Sequence, residues 1–124
     1  MRRLRCPAPD ARLRRLPLAV LIPVSLVMLF SPGSAVPSGP PHSDKPVHAA
    51  LFAALAAAAV YAGAGWRSAG AALLVYAAVS EVLQSALPIH RHGDPMDLIA
   101  DAAGIAAGLI LVSALRRSGP SPGG

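Results

Sequence analysis

The stretch Met96–Leu115, MDLIADAAGIAAGLILVSAL, decides the fold class of this chain. Its only charged side chains are Asp97 and Asp101, and a helix of this length spans about 30 Å, the thickness of the hydrocarbon core of a bilayer. An ionisable side chain inside such a segment is costly, so it usually faces protein groups or a water-filled cavity. The stretch therefore predicts a membrane-spanning helix with a functional polar face.

Three more apolar stretches precede it, and the composition agrees with a membrane protein. Only 14% of the 124 residues are charged, against about a quarter in a typical soluble domain. We therefore predict an all-α fold, an integral membrane helical bundle with about four transmembrane helices. The predicted parts are a basic cytoplasmic tail, 1–15, a membrane domain, 16–115, with spans at about 16–35, 47–65, 69–87 and 96–115, and a disordered cytoplasmic tail, 116–124.

The first apolar stretch, Leu16–Phe30, admits two interpretations. It is short for a span, because its length as a helix is about 22 Å, although continuation to Ala35 would lengthen it. A basic start, an apolar middle and the small residues Gly33 and Ser34 before Ala35 are also features of a cleavable secretory signal. In either case the other spans keep the same orientation.

The arginine and lysine counts predict that orientation. With both termini inside, nine of the eleven basic residues lie on the cytoplasmic side, and only Lys45 and Arg91 lie outside. The six arginines among the first 15 residues have no aromatic residues between them. We interpret them as a cytoplasmic anchor of a multi-pass membrane protein, and we expect no nucleic-acid partner.

This orientation places the ionisable and amide side chains of the apolar stretches near the outer surface. Glu81 lies six residues before Leu87, about 9 Å below the end of its helix. A carboxylate at that depth needs a cation or hydrogen-bond donors, or it takes up a proton. Because residues three or four apart share a helical face, we predict one polar site formed by Lys45, His48, Glu81, Gln84, Arg91, Asp97 and Asp101.

Structural interpretations account for part of the same pattern. Glu81 would be half of a purely structural ion pair, His48 a hydrogen-bonded structural group, and Lys45 a side chain that extends to the interface. In the fourth stretch, Gly104 and Gly108 form a GxxxG motif, which lets another helix pack closely.

A histidine pair in the loop before the fourth stretch is the nearest approach to a metal motif. His90 and His92 flank Arg91, but their spacing is not that of a zinc site, so we predict no metal ligand and no cofactor. The guanidinium of Arg91 instead suits a phosphate or a carboxylate.

Four groups of residues occur in a characteristic order: Ser43-Asp44-Lys45-x-x-His48-x-x-x-Phe52, Glu81-Val-Leu-Gln84, Arg91, and Asp97-Leu98-Ile-Ala-Asp101-x-x-Gly104-x-x-x-Gly108. This ordered set resembles the VanZ-like family of small bacterial membrane proteins, over residues 43–111. The sequence departs from the family at Asp101, where asparagine is more usual, and at Pro46, which replaces an apolar residue. The resemblance implies several membrane helices in a bacterial cell envelope; the founding member is associated with low-level resistance to teicoplanin, and the activity of the family is not established.

We therefore expect an outward-facing site that binds or modifies a lipid headgroup or a peptidoglycan-related ligand, and whether it is an enzyme stays open at this point. Arg91 and Lys45 would meet an anionic group, and Glu81 with His48 would form an acid–base pair. Membrane lipids, a lipid-linked or cell-wall ligand and a second copy of the chain are the expected partners. The remaining site members, which would bind the ligand or orient that pair, are Gln84, Asp97 and Asp101.

Two other functions stay open. A non-enzymatic scaffold or accessory subunit of a membrane complex is favoured by the alanine-rich second stretch and by the GxxxG face. A proton- or ion-coupled transporter would use Glu81 and Asp101 as carriers, and it would need polar groups near the middle of the membrane.

Overall fold

A computed structural model describes residues 10–31, 44–88 and 94–118 of the chain. Helices make up 89% of these described residues, among which there is no strand. The predicted all-α helical bundle is therefore confirmed. The four helices are α1, Ala11–Phe30, α2, Asp44–Tyr61, α3, Trp66–Ala86, and α4, Pro95–Arg117.

Three of these helices, α1, α3 and α4, are long and apolar enough to cross a membrane. Their 20, 21 and 23 residues correspond to about 30–35 Å of helix, which matches the hydrocarbon core. With three such helices the chain is an integral membrane protein. The apolar part of α2, Lys45–Tyr61, is shorter. This helix supplies most of the buried apolar side chains of the described residues, so much of its surface contacts neighbouring helices.

Two helix boundaries differ from the predicted spans around the turn between α2 and α3. The predicted second span continues to Gly65, whereas α2 ends at Tyr61. Gly63 adopts a φ of 113°, a left-handed conformation that glycine takes without steric cost, and this ends the helical path. Trp66 lies between the predicted second and third spans, 47–65 and 69–87, and it begins α3.

The first and last helices extend beyond the predicted spans and include arginines that were assigned to the tails. α1 begins at Ala11, five residues before the predicted span, and α4 continues to Arg117. Arg116 lies in the last turn of α4, where a positive charge favours the helix dipole. Its Nη2 donates a hydrogen bond to the carbonyl of Val60 at 2.8 Å, so the end of α4 is tied to the end of α2.

The closest approach in the bundle is between α2 and α4. A Cβ atom added at Gly104 would lie 2.8 Å from Cα of Ala49, and one added at Gly108 would lie 2.9 Å from Cα of Ala53. Real Cβ atoms do not approach other carbon atoms so closely, so the two backbones meet where α4 has no side chain. This contact holds the first turns of the two helices side by side.

The remaining helices pack around this pair. Phe52 and Leu55 of α2 are almost completely buried, together with Leu29 of α1. A polar contact lies beside them: the hydroxyls of Ser25 and Tyr76 are 2.8 Å apart, which joins α1 to α3. The core therefore runs along α2, and the polar residues discussed below lie at one end of it.

Candidate functional site

Polar side chains from three helices converge at the end of the bundle where α2 and α4 begin and α3 ends. His48 lies in the second turn of α2, Glu81 near the last turn of α3 and Asp97 in the first turn of α4. One ring nitrogen of His48 and one carboxylate oxygen from each of Glu81 and Asp97 lie within 4.8 Å of one another. All three residues are buried. An imidazole and two carboxylates at these distances are able to exchange a proton or to bind a cation.

Asp94, immediately before α4, connects the three helices. Its Oδ1 accepts a hydrogen bond from the amide of Met96 at 2.9 Å, which caps α4, and Pro95 occupies the first helical position. Its own amide donates to Oε2 of Glu81 at 3.0 Å, and its Oδ2 accepts from Nζ of Lys45 at 2.9 Å. The cap of α4 is thus also the junction between α2 and α3.

Lys45 supplies a positive charge to the described part of the site at neutral pH. Besides its bond to Asp94, its Nζ donates to Oδ1 of Asp97 at 3.2 Å. Because Lys45 precedes the predicted span 47–65, its ammonium group lies outside the membrane-spanning segments. Its hydrogen bond to Asp94, followed by the contacts with Asp97, raises the pKa of the ammonium above its ordinary value, although burial acts in the opposite direction. Lys45 therefore stays protonated when the pH is neutral.

His48 and Asp101 form the deepest pair of the site. Nδ1 of His48 lies 3.0 Å from Oδ1 of Asp101, whose side chain has no exposed surface. A carboxylate oxygen accepts, so Nδ1 donates its proton to Oδ1 of Asp101, which leaves Nε2 to meet another group. Asp101 therefore orients the imidazole and selects its tautomer.

Glu81 has one hydrogen-bonded oxygen and one that lacks a partner among the described residues. Oε2 accepts from the amide of Asp94, whereas Oε1 is buried and has no hydrogen bond to any of the described residues. The described residues of the site include four acids and two bases. The acids are Glu81, Asp94, Asp97 and Asp101, and the bases are Lys45 and His48. Within the described part of the chain the acids therefore outnumber the bases, and Glu81 and Asp101 each retain a buried acceptor oxygen without a described partner.

Gln84 makes a different contact from the predicted one. We expected it to hold Glu81, but its Nε2 donates to the carbonyl of Leu29 at 2.7 Å, near the end of α1. The last carbonyls of a helix lack partners within that helix, so Gln84 satisfies one of them. Three residues along a helix correspond to a rotation of about 300°, which turns Gln84 toward α1 while Glu81 contacts the start of α4.

The structure thus brings together five of the seven residues that the sequence predicted for this site. Arg91, like His90 and His92, lies outside the described residues, and its predicted role stays a prediction. Sequence reasoning missed Asp94 as a member of the site. Its signal was present, because an aspartate followed by proline before an apolar run is typical of a helix N-cap. The five residues that converge are Lys45, His48, Glu81, Asp97 and Asp101.

Comparisons of the chain with protein-family models, with curated proteins and with solved structures yield no match. The geometry of the polar site and the ordered motifs of the sequence are therefore the basis for assigning a function.

Proposed function

We propose that this chain is a VanZ-like protein of a bacterial cell membrane, and that its polar site binds the polar headgroup of a lipid or of a lipid-linked, peptidoglycan-related ligand. One observation carries the proposal. Three helices place buried ionisable side chains in contact at one end of a bundle that otherwise exposes many large apolar residues. A ligand anchored in the bilayer would present its headgroup at that level.

The distribution of basic residues supports an outward orientation of the site. Leu18 of α1 packs against the cluster that contains Val60 and Ala69, so the first turns of α1 lie toward the end opposite Glu81. Most of the cytoplasmic positive charge expected from the positive-inside rule then lies at that opposite end. The described basic residues there are Arg12, Arg14, Arg15, Arg67, Arg116 and Arg117.

Within the site, we assign to Glu81 the role of hydrogen-bond acceptor and to His48 the role of proton carrier. Oε1 of Glu81 is available to accept a hydrogen bond from an amine or a hydroxyl of the ligand. His48 is oriented by Asp101, as a carboxylate orients the imidazole of an acid–base pair. Lys45 would attract an anionic group, at the expense of one of its two carboxylate contacts.

Two observations disfavour the alternative functions. The GxxxG face that suggested a scaffold packs against Ala49 and Ala53 of α2, so it is already used inside the bundle. The innermost carboxylate, Asp101, lies six residues after Pro95, about 9 Å from the start of α4. The described carboxylates of the site are therefore near one surface, whereas a carrier site lies near the middle of the membrane.

Replacement of Glu81 by glutamine tests the proposal. The substitution keeps the shape of the side chain and removes a buried acidic group whose Oε1 has no partner among the described residues, so we expect membrane abundance and melting temperature equal to or above those of the wild type. The function should nevertheless be lost. The measurement is a profile of lipids and cell-wall precursors in a deletion strain complemented with wild type or with Glu81→Gln.

We expect the Glu81→Gln strain to match the deletion strain. Asp10→Asn is the matched control, because Asp10 is exposed before α1 and its substitution should restore the wild-type profile. Identical profiles in all strains would favour the scaffold, and a loss of protein with Glu81→Gln would indicate a structural ion pair.

A further inference from the structure

We propose that His48, Glu81 and Asp97 bind one divalent transition-metal ion. Their donor atoms come from three helices and lie within 4.8 Å of one another. Bonds of about 2.0–2.2 Å to a common ion place ligand atoms about 3–4 Å apart, so small side-chain movements suffice to form the site. The inference goes beyond the headgroup site, since the chain's own side chains supply the ligands.

Each of the three proposed ligands has a hydrogen-bond partner of the kind that orients ligands in metal sites. Asp101 engages Nδ1 of His48, which leaves Nε2 as the ring nitrogen available to a metal ion. A histidine that binds a metal usually donates its other ring N–H to such a carboxylate. In the same way, the amide of Asp94 holds Oε2 of Glu81, and Lys45 holds Oδ1 of Asp97. Each donor is therefore oriented by a group that is not itself a ligand.

A second, independent observation indicates a bound cation. Glu81 is only 9% exposed, and its Oε1 is buried without a hydrogen bond to the described residues. The same is true of Oδ2 of Asp101. Buried carboxylate oxygens without donors are costly, and the site carries more acids than bases among the residues that the structure describes. A divalent ion beside Glu81 would supply both the missing partner and the missing charge.

The donor set indicates which ions to expect. One imidazole favours zinc, iron or nickel over magnesium and calcium, whereas carboxylates accept zinc and manganese as well. With three protein ligands, a zinc ion would keep a fourth position for water or for a ligand group. We therefore expect the site to bind Zn²⁺ more tightly than Mn²⁺, and Mg²⁺ and Ca²⁺ more weakly still.

The test is a titration of the full chain with Zn²⁺ alone, in detergent micelles, after removal of metals with a chelator. The protein carries an affinity tag without histidine, and binding is measured by calorimetry and by metal analysis after dialysis. We expect one zinc per chain. Glu81→Gln and Asp97→Asn should each weaken binding at least about 100-fold, and Asp101→Asn, which alters only the orienting partner, about 10–100-fold.

Two controls separate this site from other zinc-binding groups. Asp10→Asn removes an exposed carboxylate, and the double variant His90→Ala with His92→Ala removes the loop histidines; both should bind zinc as the wild type does. Each variant is first checked for a single monodisperse peak in size exclusion.

A measurement on the wild type alone keeps the proposal testable if a variant fails to fold. Co²⁺ bound by His48 and the carboxylates should give visible absorption bands that Zn²⁺ abolishes at one equivalent. Wild-type protein that binds no zinc would overturn the proposal, as would binding that only the loop-histidine variant removes. Retention of full affinity in monodisperse Glu81→Gln would overturn it too, and none of these results depends on the headgroup proposal.

Discussion

Gly104→Ala is expected to lower the free energy of unfolding by about 3 kcal/mol, because the added methyl group has no space between α2 and α4. Its Cβ would lie 2.8 Å from both Cα and the carbonyl carbon of Ala49. These are backbone atoms, so no rotamer change relieves the clash, and the helices must separate. The separation would also draw His48, the residue before Ala49, away from Asp101, which lies three residues before Gly104. Unfolding in detergent, followed by helical circular dichroism, measures the loss.

Gly70→Ala is the matched control. A Cβ at Gly70 would meet only Cδ1 of Leu109, at 3.4 Å, which is an ordinary contact with a flexible side chain. Alanine also favours helix over glycine by about 1 kcal/mol, so this variant should be as stable as the wild type or more stable. Equal stabilities for Gly104→Ala and Gly70→Ala would show that α2 and α4 are not in close contact.

Asp101→Ala is expected to have a second large effect, a destabilisation of about 3 kcal/mol. The substitution removes the partner of Nδ1 of His48 and leaves a buried polar nitrogen unsatisfied beside a cavity. Asp101→Asn should cost about half as much, since the amide oxygen still accepts from Nδ1. Asparagine is also the residue that the family resemblance makes usual at this position.

Thermal unfolding in detergent at neutral pH, with Asp10→Ala as the control, distinguishes these outcomes. Asp10 lies exposed at the start of α1, so the control should unfold as the wild type does. If Asp101→Ala were as stable as Asp101→Asn, the pair with His48 would contribute nothing to stability, and the orienting role of Asp101 would lose its support.

Much of the site was predictable because chain topology alone brings its members to one end. Apolar length predicts the helices, and short turns between consecutive spans make those helices antiparallel. Residues at the start of α2, the end of α3 and the start of α4 must then lie at the same end of the bundle. Lys45, Glu81 and Asp97 were grouped by this argument, without any knowledge of their contacts.

The ends of the helices and the hydrogen-bond partners of the polar side chains were less predictable. Hydropathy does not distinguish the alanine-rich end of α2 from the turn that follows, and the left-handed φ of Gly63 decides that α2 ends at Tyr61. Asp94 appeared to be one polar residue of a loop. Its role as a junction depends on α3 and α2 lying beside the first turn of α4, which no local pattern reports.

The sequence by itself determined the all-α class, the membrane class and the end of the bundle at which the described ionisable residues of the site lie. These features depend on apolar length and on the order of segments along the chain. Only the tertiary structure decided which side chains touch: Gln84 contacts α1, His48 pairs with Asp101, and Oε1 of Glu81 has no partner among the described residues. The physical reason is that the helical period relates residues within one helix, whereas the rotation of each helix against its neighbours is set by packing.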